Sequence, residues 1–393
     1  RGRFANREQA ASIGYETSQK AHNALRWLLA RQGKYIDGEM TVVWKLPQNL
    51  KEKDSNLALD VVDLFGDTQE TFLADFDWAA ECRDEDDIEL DRKFAEKLNQ
   101  AMAGYRAKLQ PDDEVIILSV DAATTGRLAV TYYQEVPGNE FIDRVLHWHQ
   151  NCTWPRWIKL HETKKWVFIN NTAPSPNEIA LAAYGTEQEK GYLACSDKLK
   201  KTTIRRILPC IIGLSPKIPA DIVKAAVNRA SNPQAYSSFV WQNCVAPVAC
   251  AMIKYNEFDG KVNSMELEKD RSYLFGQLLA ILEKVEERAL YLQESKTDDR
   301  LTNAKKMWNV YTRRPAITYE RLYSHIVRAY LKRLNPGARA KIENEIMQII
   351  NVLRETDGFN NNPLNERYLL GYYEEREKLM KSKGEKSNEG GEE

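Results

Sequence analysis

From Met265 onward the apolar pattern changes to that of longer amphipathic helices, after a first half of mixed α/β character. Leu274, Leu278, Ile281, Val285 and Leu292 keep one face of a first helix, and Ile342, Ile346, Ile349 and Leu353 keep one face of another. Residues 366–381 supply a last one. The connections at 295–302, 335–338 and 356–364 are short, so neighbouring helices run antiparallel in a compact bundle. In contrast, Val115–Val120 and Arg127–Val136 are rich in β-branched and aromatic residues, and the intervening Asp121-Ala-Ala-Thr-Thr-Gly126 is suited to a turn. This predicts a β-hairpin.

Around the hairpin, residues 18–32 read as a helix, with Ser18 as its cap, Ala21, Leu25, Leu28 and Leu29 on one side and Gly33 as the stop. That helix should pack on a sheet. Thr41–Leu46 and Trp166–Ile169 read as strands, and Asn170–Pro176 has a loop-forming composition. Pro209, Pro216, Pro219, Pro233 and Pro247 punctuate 177–258 into short helices, and Phe258–Ser264 reads as a linker. The fold class that follows is α+β. A mixed α/β part over 1–176 precedes a helical middle segment over 177–264, a helical bundle over 265–381 and a disordered tail over 382–393.

At 393 residues and 43% hydrophobic, the chain can bury a substantial core. The formal net charge of −1 excludes a uniformly basic surface, so any electrostatic footprint is local. The local imbalances are large: residues 51–98 carry sixteen acids against six bases, and residues 300–341 carry eleven bases against one acid, Glu320. Cys82, Cys152, Cys195, Cys210, Cys244 and Cys250 form no CxxC pair and stand in apolar contexts, as reduced thiols of a cytoplasmic protein do. No run reaches the length of a membrane span. The opening Arg1-Gly2-Arg3-Phe4 reads as the continuation of an upstream portion.

The sharpest physical signal is a helix expected over Thr318–Leu334. At about 100° per residue, Tyr319, Leu322, Tyr323, Ile326, Tyr330 and Leu334 fall on one side, and Arg321, Arg328 and Lys332 on the other. From 321 to 332 such a ridge would run about 16 Å, long enough to follow several nucleotides, with Arg313, Arg314, Arg339 and Lys341 extending it. A solvated face is the plainer reading, but the run lacks the sign alternation of one. A second cluster, Lys198, Lys200, Lys201, Arg205 and Arg206, fits nucleic acid and a helix end equally well.

Other chemistry is weakly signalled. His147-Trp148-His149 with Cys152 holds ligand types that a regular segment would not aim at one ion. The run Asp84-Glu85-Asp86-Asp87 invites a two-metal nuclease reading, but consecutive carboxylates do not converge on paired ions. A solvated acidic surface is the better reading. There is no GxxxxGK[ST], GxSxG or HExxH, so no cofactor, catalytic residue or metal site is indicated.

Ser18–Trp27, Gly126–Tyr133, Ile179–Gly185, Asn228–Pro233, Asp270–Gly276, Thr302–Ala304, Arg314-Pro315, Phe359–Leu364 and Tyr368–Tyr373 together resemble the Csd-type large-subunit family of type I-C CRISPR Cascade. The resemblance implies a non-catalytic subunit of an RNA-guided surveillance complex. It would assist motif-dependent binding of target DNA and stabilise the R-loop. Its partners would be the guide-RNA backbone subunits, target double-stranded DNA with its displaced strand, and a recruited helicase-nuclease. The resemblance also implies an N-terminal portion ahead of Arg1, and a small subunit made separately from the C-terminal bundle by an internal start near Met252 or Met265. The rival reading is a structural scaffold whose basic bundle docks acidic proteins. On the first reading, Arg321, Arg328 and Lys332 form a sequence-tolerant track for the displaced strand.

Overall fold

A computed structural model describes residues 14–36, 39–46, 109, 112–124, 127–154, 156–159, 166–169, 173–189, 191–258, 267–291, 302–327 and 330–388. The acidic stretch 51–98 with its run Asp84–Asp87, most of the expected linker, and Arg328 lie outside the described residues.

The α+β class is as expected. Helix α1 (Tyr15–Gln32) leads into β1 (Lys34–Ile36) and β2 (Glu39–Leu46), and β3 (Glu114–Thr124) and β4 (Arg127–Pro137) form the hairpin. The four strands make one antiparallel sheet in the order β1-β2-β3-β4. Because side chains alternate across a strand, the register Val42↔Leu118 and Val43↔Ile117 sends neighbouring residues to opposite faces. Val42, Leu118 and Val120 pack under Leu25, Leu28 and Leu29 of α1. Val43, Val115, Ile117 and Val136 enter the main core, where α2 (Gly138–Asn151) adds Phe141, Ile142, Val145 and Trp148. A second antiparallel pair, β5 (Arg156–Lys159) with β6 (Trp166–Ile169), places the strand expected at 166–169.

Past residue 176 the chain is helical, apart from the short pair β7 (Thr186–Glu187) and β8 (Leu193–Ala194). Helix α3 (Pro176–Tyr184) begins on a capping box: Glu178 N–H donates to Ser175 Oγ at 3.2 Å, and Ser175 N–H donates to the Glu178 carboxylate at 2.9 Å. Helix α4 (Asp197–Ile211) carries Pro209 inside its last turn, so this proline does not break the chain as its type predicts. The Pro209 carbonyl is satisfied by the N–H groups of Leu214 and Ser215 beyond the helix end. Helix α5 (Ala220–Ala230) follows. A π-helical turn at Trp241–Val245 then absorbs Pro247 near the start of α6 (Ala246–Phe258).

The bundle comprises α7 (Arg271–Tyr291), α8 (Asn303–Lys306), α9 (Trp308–Arg313), α10 (Pro315–Leu322), α11 (Pro336–Glu355) and α12 (Arg367–Asn388). Ile342, Ile346 and Leu353 of α11 are buried, as their spacing predicts. Helix α12 runs past 381 into the stretch expected to be disordered, which is rich in Lys and Glu, both good helix formers. One apolar cluster joins α3 to α6 with the bundle. At its centre Trp241 meets Trp308 edge-on with ring centroids 5.3 Å apart, and its indole N–H donates to the Ala230 carbonyl at 2.8 Å. No described helix is long and apolar enough to cross a membrane.

The helix expected over Thr318–Leu334 is not one regular α-helix among the described residues. Helix α10 ends at Leu322, a π-helical turn spans Tyr323–Val327, and a 3₁₀ turn spans Leu331–Arg333. These turns carry different residues per turn from an α-helix, so the phase of the pattern shifts. Leu331 is therefore buried, although a uniform wheel leaves it off the apolar face, and Tyr330 and Leu334 are only half-buried.

Candidate nucleic-acid interface

The broken helix keeps its cations in solvent. Arg313, Arg314, Arg321, Lys332 and Arg333 are all exposed, while Thr318, Tyr319, Leu322 and Leu331 are buried beneath them. The start is fixed locally: Pro315 takes the first helical position of α10, and the Arg314 carbonyl accepts from Thr318 Oγ1 at 2.6 Å. Tyr319 stacks on Tyr323 with ring centroids 5.6 Å apart and meets Phe359 edge-on, so these rings belong to the core. Burial pushes the Tyr319 phenol far above its ordinary value, which keeps it neutral. Among the described residues, Arg313, Arg314, Arg321, Lys332 and Arg333 have no carboxylate partner. The 16 Å α-helical ridge is lost, because the backbone between Arg321 and Lys332 is not one α-helix. What remains is a set of exposed cations drawn from the end of α9, the bend at Arg314, the last turn of α10 and the 3₁₀ turn.

The flanking cations behave differently. Arg339 pairs with Glu343 at 2.9 Å and Lys341 approaches Glu345 at 4.0 Å, both one turn along α11. Such exposed pairs contribute about 0.3–0.5 kcal/mol each and leave this face close to neutral.

In the second cluster, three of the five cations hold the fold together. Lys201 binds Asp121 of β3 at 3.0 Å, and Arg205 binds Glu39 of β2, which also accepts from Thr131 Oγ1 at 2.8 Å. Arg206 makes a two-pronged bond to Asp221 of α5 at 2.7 and 2.5 Å. This hydrogen bond raises the guanidinium further and lowers the Asp221 carboxyl. Lys198 is exposed and Lys200 half-exposed on the same helix.

The histidines of the weak metal signal lie on α2. His147 hydrogen-bonds Asn151 at 2.9 Å and meets Tyr255 edge-on, and His149, two residues on, is buried on another face. Cys152, Cys210 and Cys250 are buried, and burial raises each thiol, so none is a ready thiolate.

Sequence reasoning missed a buried ionic network inside the bundle. The fully buried Glu283 of α7 lies 3.0 Å from Arg376 of α12 and 3.3 Å from Lys305 of α8, and accepts hydrogen bonds from Tyr372 and Thr302. Burial works to raise its carboxyl, but Arg376 and Lys305 prevail and hold it below the ordinary range. Glu286 accepts from the backbone and side-chain amides of Asn303 at 2.8 and 2.9 Å. A Glu at 283 reads from sequence as one more surface charge, because its partners are 19 or more positions away.

Several of the stretches that carry the family resemblance meet in space. Arg271 donates to the carbonyls of Gly358, Asn360 and Asn362 at 2.8, 3.0 and 2.6 Å, which fixes the loop before α12. Tyr368 receives the Trp308 indole N–H at 3.0 Å and donates to Ser231. Thr302 caps α8. No curated protein matches the chain. The profile of the family described as CRISPR-associated protein (Cas_Csd1) matches residues 1–380. A match over nearly the whole length, on a fold whose signature stretches bind one another, places this chain in the Csd1 family of CRISPR-associated proteins.

Proposed function

We propose that this chain is the non-catalytic large subunit of a type I-C RNA-guided surveillance complex and that it helps hold the displaced strand of target DNA. The observation that carries the DNA-binding part is the exposed group Arg313, Arg314, Arg321, Lys332 and Arg333, which lacks carboxylate partners among the described residues. Phosphate contacts of this kind are sequence-tolerant, as a track for any displaced strand must be. Motif-dependent target binding, contact with the guide-RNA backbone and recruitment of a helicase-nuclease complete the reading, and cleavage belongs to that recruited enzyme. The division into parts at 176 and 264, with 265–381 equivalent to a small subunit, belongs to the same proposal.

The test is single-stranded DNA binding by the full chain across a salt series. Arg321→Glu, Arg328→Glu and Lys332→Glu together should weaken binding at every sequence. They should also flatten a log–log salt slope expected at about −0.7 per phosphate neutralised. Unchanged affinity and slope with an intact circular dichroism spectrum would remove this surface from DNA binding. The rival reading keeps the basic bundle as a scaffold that docks acidic proteins. It predicts association with acidic proteins that single-stranded DNA does not compete away.

A further inference from the structure

A cleft of about 740 Å³ opens where α5 and α6 meet α9 and the loop before α12. Two of its walls each carry one cation and one amide. Lys224 and Asn228 stand one turn apart on α5, and Asn309 and Arg313 stand one turn apart on α9, a spacing that puts each pair on one helix face. Among the described residues, none of these four side chains has a hydrogen-bond or ion-pair partner. Other amides in the same lining are already engaged. Asn256 both donates to and accepts from the Ile218 backbone at 2.8 Å, and Asn365 accepts from Arg367 N–H at 3.1 Å. The cleft thus separates amides that build the fold from amides that face solvent.

Chemistry narrows the ligand. A cation on each of two walls, with the lining carboxylate of Glu257 already taken by Arg367 at 2.6 Å, suits an anionic group. An amide beside each cation offers a donor and an acceptor together, the pattern that matches a nucleobase edge. Val223, Val227, Ile253 and Leu364 give an apolar lining suited to a flat ring. The exposed Glu366 at the rim can accept from an amino group that stands beside a ring-nitrogen acceptor, as on the Watson–Crick edges of adenine and cytosine, and it repels the carboxylates of an acidic peptide. Arg313 belongs both to this cleft and to the exposed basic surface, so a strand on that surface passes the cleft mouth.

We propose that the cleft takes one unstacked nucleotide of single-stranded DNA, its phosphate on Lys224 and Arg313 and the edge of adenine or cytosine on Asn228, Asn309 and Glu366. This rests on the DNA-binding reading above. It adds a base preference that a phosphate track alone does not have.

The experiment titrates dCMP, dAMP, dTMP and inorganic phosphate into the full chain, with binding followed by calorimetry. dCMP and dAMP should bind about tenfold tighter than dTMP or inorganic phosphate, within the range of one good base-edge contact. Asn228→Ala with Asn309→Ala, both at exposed positions, should remove that preference and keep the fold. Arg321→Glu with Lys332→Glu should leave mononucleotide binding unchanged while weakening long oligonucleotides. Absence of saturable dCMP or dAMP binding at millimolar concentration, equal binding of phosphate alone, or indifference to the double Asn variant would overturn the cleft. Mononucleotide binding that persists while oligonucleotide affinity ignores Arg321 and Lys332 would instead remove only the basic-surface reading. Tighter binding of an acidic peptide than of dCMP would reassign the cleft to a protein and overturn the proposal.

Discussion

Gly276 of α7 and Gly371 of α12 let two helices touch backbone to backbone. A Cβ at Gly276 would lie 2.0 Å from the Tyr368 carbonyl oxygen, and one at Gly371 would lie 2.0 Å from that of Tyr273. Neither neighbour can swing aside, since both are helix backbone. Alanine normally improves an exposed helix position by about 1 kcal/mol over glycine. Here Gly276→Ala and Gly371→Ala should each destabilise by about 1–3 kcal/mol through overpacking. Urea unfolding would show it as a lower midpoint, and a raised midpoint would contradict the close approach.

The second prediction concerns Glu283. Arg376→Met leaves the buried carboxylate with Lys305 as its remaining cation and should cost about 3–5 kcal/mol. Glu283→Gln should cost a similar amount for the mirror reason, since among the described residues Arg376 keeps only Glu287, at 3.2 Å, as a carboxylate partner. The double variant should lose clearly less than the two single losses combined. Additive losses in a double-mutant cycle would mean that the two side chains do not act as a pair.

Much of this core was legible in the sequence, and the reason is periodicity. Val115 and Ile117 alternate with Leu118 and Val120 across the sheet, and Ile342, Ile346 and Leu353 repeat at helical spacing, so their burial follows from local pattern alone. What local pattern cannot carry is phase and partnership. The π-helical turn at Tyr323–Val327 moves Leu331 into the core and ends the uniform cationic face. Arg205 looks like one more ligand for phosphate until folding brings Glu39, 166 positions away, against it. The two walls of the cleft were out of reach for the same reason, because Asn228 and Asn309 converge only through packing of α5 and α9 on one core.

Stability should peak on the acid side of neutrality. Burial raises the carboxyls of Glu286 and Glu375, with the Asn303 and Ala304 N–H groups opposing the first and Lys378 the second. A raised carboxyl binds its proton more tightly in the folded chain, so stability rises as pH falls from neutrality toward the ordinary glutamate value of about 4.3. Glu283 acts in the opposite sense: its lowered carboxyl contributes stability above that value and loses it as pH falls further. Thermal midpoints measured from pH 8 to pH 3 should therefore rise and then drop, and Glu375→Gln should flatten the rise. A midpoint that only declines from pH 7 downward would exclude control by these groups.

Arg271 should not tolerate lysine. Its planar fork reaches three carbonyls of the 358–362 loop at 3.0 Å or less, an arrangement that a single ammonium does not reproduce. Arg271→Ala should cost about 2–4 kcal/mol, and Arg271→Lys should recover only part of that. Hydrogen exchange in residues 358–364 should quicken in both variants. Unchanged protection of that loop would show that α12 is positioned without the clamp.

The last prediction bears on whether the C-terminal bundle stands alone. Trp241 lies before it in sequence, yet its ring packs on Trp308 and on Tyr373 with centroids 5.3 and 5.6 Å apart, and Lys305 lies 5.5 Å above it. Ser231 of the middle segment likewise receives the Tyr368 hydroxyl hydrogen bond. A fragment starting at Met265 therefore exposes Trp308, Tyr368 and Tyr373 to water, whereas one starting at Asn228 keeps them covered. Truncating a buried tryptophan to alanine typically costs about 3–5 kcal/mol, and removing the whole covering segment should cost at least as much. Urea unfolding of the 265–393 fragment should then give a midpoint well below that of the 228–393 fragment, and the shorter one should self-associate or need a partner surface. Equal midpoints, with Trp241→Ala silent in the longer fragment, would show that the bundle closes its own core.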